Sequence, residues 1–167
     1  VLLLASGESE IPLCDVRKEF RTALSQVCRS LARQVVSDGE GVQHVIHLHI
    51  EQARNRAEAL QVARSIAHSL LVKTAWAGAD PNWGRILAAT GRSGVKLDPK
   101  KISVRIGDQT VCKGSVACKF DEHKAHDHLA QAECVVRVRL GRGNAGLEFL
   151  TTDLTSDYVR INADYST

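Results

Sequence analysis

The sequence predicts an α/β (α+β) fold in which mixed sheets are flanked by helices, and three observations carry this. Residues 14–36 place Val16, Phe20, Leu24, Val27, Leu31 and Val35 at helical spacing. β-rich runs recur at 42–51, 101–115 and 134–154, with helical segments between them. Across 167 residues the hydrophobic share is 44%, enough for one domain with a real core or two small lobes sharing one.

In chain order, "VLLLASGES" reads as a buried strand at 1–6 that begins without a preceding turn. It is too short for a membrane span and lacks a basic leader. A central strand of this kind needs a neighbour on each flank, so the chain by itself is expected to be poorly soluble or self-associated. The amphipathic helix at 14–36 ends in "SDGEG", where Gly39 and Gly41 bracket Glu40 on a tight turn. "VQHVIHLHIE" at 42–51 is a strand and "NRAEALQVARSIAHS" at 55–69 a second helix, while "LLVKTAWAG" at 70–78 fits helix or strand.

"ADPNWGRILAATG" at 79–91 carries the signals of a helix over about 82–90. Asp80 can cap its free N–H groups, Pro81 suits the first helical position, and Gly91 suits a left-handed residue after the last turn. "KISVRIGDQTVCKGS" at 101–115 is a hairpin about Gly107-Asp108, and "DEHKAHDHLAQA" at 121–132 a short polar helix. Residues 134–154 form two strands around a glycine loop, with arginines alternating outward on the first; "TSDYVRINADYST" opens as a helix capped at Thr155 or Ser156.

Composition excludes several classes. The 22 basic and 19 acidic residues are interspersed, and aromatic content is 4%, so neither a nucleic-acid partner nor a membrane partner is expected. The five cysteines, Cys14, Cys28, Cys112, Cys118 and Cys134, match no zinc or redox spacing and are read as reduced thiols of a cytosol-like compartment. His47 and His49 share one face of a strand, but two ligands make no metal site, and His44 faces the other way. His123 and His126 lie on a surface helix without further ligands; no metal is expected. No nucleophile elbow, P-loop or dinucleotide fingerprint is present, so the residues by themselves name no catalyst. Glu40 is either a general base, a ligand for an ammonium group, or only a turn residue.

"SDGEG" after a long helix, "LVKTAWAGADPNWGRILAATG", "LGRGNAG" and "TTDLTSDYVRINADYST", in this order and spacing, resemble the β chain of the ornithine acetyltransferase family, also called the arginine biosynthesis bifunctional or glutamate N-acetyltransferase family. The resemblance runs over essentially the whole sequence. It implies an N-terminal-nucleophile fold with a smaller C-terminal lobe, with residues 1–42 ending the nucleophile-containing body and 43–167 forming the lobe. It also implies a precursor that cuts itself before a threonine, which then carries acetyl from N-acetylornithine to glutamate, with acetyl-CoA as a further donor in some members. By this reading the nucleophile lies outside the chain and no cofactor is required. The partners are the α chain and the N-terminal part of the β chain, in an assembly of two α and two β chains, in the cytoplasm or, in a eukaryote, the mitochondrial matrix.

Three substrate contacts of the family fall on Glu40, Asn162 and Thr167; the resemblance implies Glu40 for the substrate ammonium and the other two for polar contacts. DPNWGR is expected to be scaffold, and Tyr158, Ile161 and Tyr165 are expected to anchor the final segment. The sequence departs from the family pattern at Val42, Gln43 and His44, at Leu70 where proline is usual, at Thr152 where cysteine is usual, and along Leu147, Glu148 and Phe149. These departures bear on substrate choice rather than on fold. Two alternatives keep the fold: a non-catalytic homologue, and an aminopeptidase-like hydrolase of the same superfamily.

Overall fold

The computed structural model describes residues 5–8 and 10–164, which fall into two compact units, one reaching to Val35 and one from Val36 onward. The strand expected at 1–6 lies mostly outside the described residues, and its last two positions, Ala5 and Ser6, are exposed and in no strand. The first unit is dominated by helix α1 (Arg17–Ser37), none of whose residues is buried. Its apolar stripe, including Phe20, Val27, Leu31 and Val35, is exposed.

The second unit is built on one six-stranded sheet. In chain order come β1 (Val45–Ala53), α2 (Arg56–Ala67), α3 (Leu70–Ala77), α4 (Trp83–Gly91), a 3-10 turn at Pro99–Lys101, β2 (Ser103–Ile106), β3 (Gln109–Lys113), β4 (Val116–Ala117), α5 (Glu122–Leu129), β5 (Glu133–Arg139), β6 (Ala145–Thr152) and α6 (Ser156–Asp164). The spatial order is β4-β3-β2-β5-β1-β6. Among the described residues only β1 and β5 run parallel, in the register Ile46 to Cys134 and Ile50 to Val138; the other pairs are antiparallel. The ambiguous segment at 70–78 is helix, because Ser69 breaks from α2 and Val72, Ala75 and Trp76 turn a buried face inward.

The two-residue periodicity of the strands sorts the sheet into a dry and a wet face. Ile46, Leu48 and Ile50 of β1 and Cys134, Val136 and Val138 of β5 are buried with α2, α4 and α5 in one core, which also holds Trp76. Each of these aliphatic side chains contributes about 1.5–3 kcal/mol by leaving water. The intervening residues His47, His49, Glu133, Arg137 and Arg139 lie on the opposite, partly exposed face. Among the described residues no helix is long and apolar enough to cross a membrane.

Two local expectations are corrected at the DPNWGR helix. Its cap is Asn82, whose side chain accepts from Arg85 N–H at 3.2 Å, and Pro81 precedes the cap. Asp80 N–H closes a turn onto Ala75 O at 2.8 Å, before the helix begins, and its Oδ2 accepts from Asn82 Nδ2 at 3.0 Å rather than from a helix N–H, fixing the cap. Gly91 is the last helical residue, and the left-handed position is Gly94, at φ 79°.

Candidate functional site

Glu40 and Asn162 come from the two ends of the second unit and meet. The turn after α1 places Glu40 between Gly39 and Gly41, and Val42 N–H closes it onto Gly39 O at 3.2 Å. Gly41 stands at φ 65°, and a Cβ built there would lie 2.5 Å from Tyr158 N, so only glycine lets the turn approach the first turn of α6 this closely. Asn162 lies one turn further along α6. Its Nδ2 donates to Glu40 Oε2 at 3.0 Å and to Tyr158 O at 2.9 Å, which uses both amide protons.

The chemistry of the pair follows from this inventory. With its donors spent, Asn162 has Oδ1 left as an acceptor, and Glu40 has Oε1, with no bonded partner for either among the described residues. The pair offers one negative charge and two acceptors side by side. That arrangement suits a cationic donor with several N–H groups, of which an ammonium is the smallest. Thr167, the third expected contact, lies outside the described residues.

The final helix has its expected cap at Thr155 but not its expected anchors. Tyr158 is 45% and Ile161 38% exposed, so neither anchors it among the described residues, and Tyr165 lies outside them. The hold comes from Thr155, which is buried. Its hydroxyl donates to Gly41 O at 2.7 Å and accepts from Tyr158 N–H at 3.1 Å. Polar contacts win here because Gly41 brings backbone too close to the helix for side chains to pack between them.

Behind the turn is a set of polar residues that sequence reading passed over. Asp153, 4% exposed, donates its N–H to His44 O and accepts from Gln43 N–H through Oδ1, both at 3.2 Å. Lys73 donates from Nζ to Thr152 O, and to Thr152 Oγ1 at 3.1 Å, while its own carbonyl accepts from Leu154 N–H. Burial lowers the Lys73 pKa, and the negative charge of Asp153 works against that shift. Thr152 thus supplies Lys73 with oxygen acceptors. The signal in the sequence was a lysine within the apolar "LLVKTAWA", which needed a buried acceptor.

Several of the histidines find structural partners. His47 is bonded through Nδ1 to Glu148 (2.7 Å) and through Nε2 to Glu133 (3.0 Å). His126 bonds Ala79 O through Nδ1 at 3.0 Å, and His128 Nε2 accepts from Val135 N–H at 2.8 Å. Among the described residues no group of three or more His, Cys, Asp or Glu is arranged to hold a metal ion.

The comparisons with known proteins match this architecture along its length. The ArgJ family model matches residues 1–167. A protein of Methylococcus capsulatus named arginine biosynthesis bifunctional protein ArgJ is 42% identical over 99% of the chain. A glutamate N-acetyltransferase of Methanopyrus kandleri is 42% identical over 100% of it. The chain covers 42% and 44% of those two relatives, so it spans about two fifths of the length of the curated proteins it matches. The crystal structure of arginine biosynthesis bifunctional protein ArgJ from Bacillus halodurans superposes with a TM-score of 0.91 at 40% identity, over 98% of this chain and 79% of that one. With the family model matching residues 1–167 and the structural likeness in agreement, the chain belongs to the ArgJ family.

Proposed function

We propose that the chain forms the C-terminal part of an N-acetyltransferase of arginine biosynthesis, which moves an acetyl group from N-acetylornithine to glutamate through an acetyl-threonine intermediate. The reading is supported by the names of its relatives and by one observation, the contact of Asn162 Nδ2 with Glu40 Oε2 at 3.0 Å. In this reading Glu40 receives the α-ammonium of the amino-acid substrate, Asn162 orients the carboxylate and accepts a second N–H, and Thr167 adds a polar contact. Neither residue takes part in bond making; the pair holds the backbone end of the substrate so that its acyl or acceptor end meets the nucleophile.

The nucleophile and its activating groups belong to the remaining part of the full-length protein. Two half-reactions pass through one site: the threonine oxygen takes the acetyl group and releases ornithine, then glutamate nitrogen takes it and restores the hydroxyl. The partners in this proposal are the α chain and the N-terminal part of the β chain, two copies of each, and acetyl-CoA is a second donor rather than a resident cofactor. The place of action is the cytoplasm, or the mitochondrial matrix in a eukaryote.

The test uses the full-length protein and follows acetyl exchange between labelled N-acetylornithine and glutamate. Exchange is expected, and Glu40→Gln should weaken binding of both amino acids by about 1.5–3 kcal/mol, the range for a hydrogen bond to a charged partner. Removing 163–167 should lower transfer while leaving self-cleavage intact. Absence of exchange would favour a non-catalytic homologue, and acetate release without glutamate a hydrolase.

A further inference from the structure

Glu40 and Asn162 are 122 residues apart in sequence, and each is exposed, so neither side chain is held by packing of its own. Their spacing is set by the connection between β6 and α6. Asp153 grips residues 43 and 44 on the strand side of the turn through its Oδ1 and its N–H. Two residues on, the Thr155 hydroxyl joins Gly41 O to Tyr158 N–H, one oxygen serving both the residue after Glu40 and the helix turn before Asn162. Lys73 fixes the same connection from behind, at Thr152 and Leu154.

We propose that Thr155 is a positioning residue for amino-acid recognition, acting through Glu40 and Asn162, with Asp153 and Lys73 as its support. This rests on the reading of Glu40 and Asn162 as the ammonium site. The physical argument is one of reach. The hydroxyl makes one short donated bond and one accepted bond inside a buried connection, so its loss leaves Gly41 O and Tyr158 N–H without their partner. Gly41 has backbone freedom that no other residue at φ 65° would have, and Thr155 is what confines it. An ammonium site built from two residues that face solvent works only if their separation is fixed beforehand, and this bond fixes it.

Asp153 has a matching oddity. Its Oδ2 is buried with no hydrogen-bond partner among the described residues, while Lys73 is close enough for its charge to be felt. Lys73 holds the neighbouring residues of the same connection through Thr152 and Leu154, so the two residues brace it together.

The experiment is a double-mutant cycle in the full-length enzyme, reading KM for glutamate and for N-acetylornithine, kcat, and the extent of self-cleavage. Thr155→Val should raise both KM values about tenfold with self-cleavage complete, and Thr155→Ser, which keeps the hydroxyl, should return them to within about twofold of the parent. In a Glu40→Gln background Thr155→Val should add less than about twofold, because a carboxylate that is gone cannot be misplaced. Where Thr155→Val fails to fold, Thr155→Ala enters the same cycle. The same fold-change in both backgrounds would overturn the proposal and show that the hydroxyl serves the fold alone. Unchanged KM values in Glu40→Gln by itself would overturn the ammonium site, and with it the need for anything to position it.

Discussion

His47 on β1 and Glu148 on β6 are joined across the strand pair by a 2.7 Å contact from Nδ1 to Oε1, and Glu133 on β5 takes the other ring nitrogen at 3.0 Å. Two carboxylates on one imidazole favour its doubly protonated form. Burial is the largest single influence and pulls the His47 pKa down, but the hydrogen bonds and charges of Glu148 and Glu133 together outweigh it and leave it raised above 6.5.

A raised folded pKa means that the folded state holds the proton more tightly than the unfolded chain does. The stabilisation is therefore complete below pH 6.5 and is lost as pH rises through the higher folded value. The thermal midpoint of the full-length protein should fall more over that window than that of His47→Gln. Parallel pH profiles for the two would remove the ion triad as a stabilising feature.

Asn82, not Asp80, closes the N-terminus of α4. Asn82→Ala should cost about 0.5–2 kcal/mol of stability by freeing Arg85 N–H, and Asp80→Ala should cost less because it removes only the brace on the Asn82 amide. Chemical denaturation of the two variants side by side decides the order, and a larger loss in Asp80→Ala would show that the local grammar had the cap right.

The extent to which this fold could be read in advance depends on how local each signal is. The hairpin at Gly107-Asp108 was legible because a two-residue turn between β-rich runs carries its own geometry, and Gly107 sits at φ 56° as such a turn needs. The parallel pairing of β1 with β5 was not legible, since nothing near Val45 says that residue 133 lies beside it. The Glu40 and Asn162 pair became visible only through resemblance: Gly41 as a turn residue and Thr155 as a cap are each legible locally, but nothing in the sequence says that the Thr155 hydroxyl also reaches Gly41 O, 114 residues away. The misplaced cap at Asp80 has the same origin: the turn closed by Asp80 N–H onto Ala75 O leaves Asp80 short of the helix, with its Oδ2 on the Asn82 amide and Asn82 at the cap.

Cys134 is fully buried, and burial together with the charge of Asp153 pushes its thiol pKa up to about 12. It is therefore protonated at neutral pH and shielded from reagents. Alkylation of the native full-length protein followed by mass spectrometry should leave Cys134 unmodified until denaturant is added. Labelling at the rate of a free thiol would mean that the end of β5 opens locally, which would also loosen the Asp153 connection.

Glu58 accepts from two donors and gives one at the start of α2, and its behaviour with pH tests whether the glycine loop is fastened to the sheet's helical side. Asn55 Oδ1 accepts from Glu58 N–H at 2.8 Å, and Glu58 Oε1 reaches back to Arg54 N–H at 3.2 Å, a reciprocal cap. The same Oε1 accepts from Arg142 Nε at 2.9 Å, which brings in the loop between β5 and β6. Burial raises the Glu58 pKa and is the largest single influence, yet the bonds from Arg142 and Arg54 and their charges together bring it below 4.5. A depressed carboxylate contributes stability that is present above pH 4.5 and disappears as pH falls through the lower folded value. Glu58→Gln should therefore lower the thermal midpoint at pH 7 and make the acid limb shallower. It should also cost more than Arg160→Ala, whose bridge to Asp157 lies on the exposed side of α6, where such pairs are worth roughly 0–1 kcal/mol. If the two variants cost the same and the acid limb is unmoved, Arg142 and Glu58 are no more than a surface pair, and the loop owes its place to the bonds from Arg142 N–H and Gly143 N–H to Gln52 O.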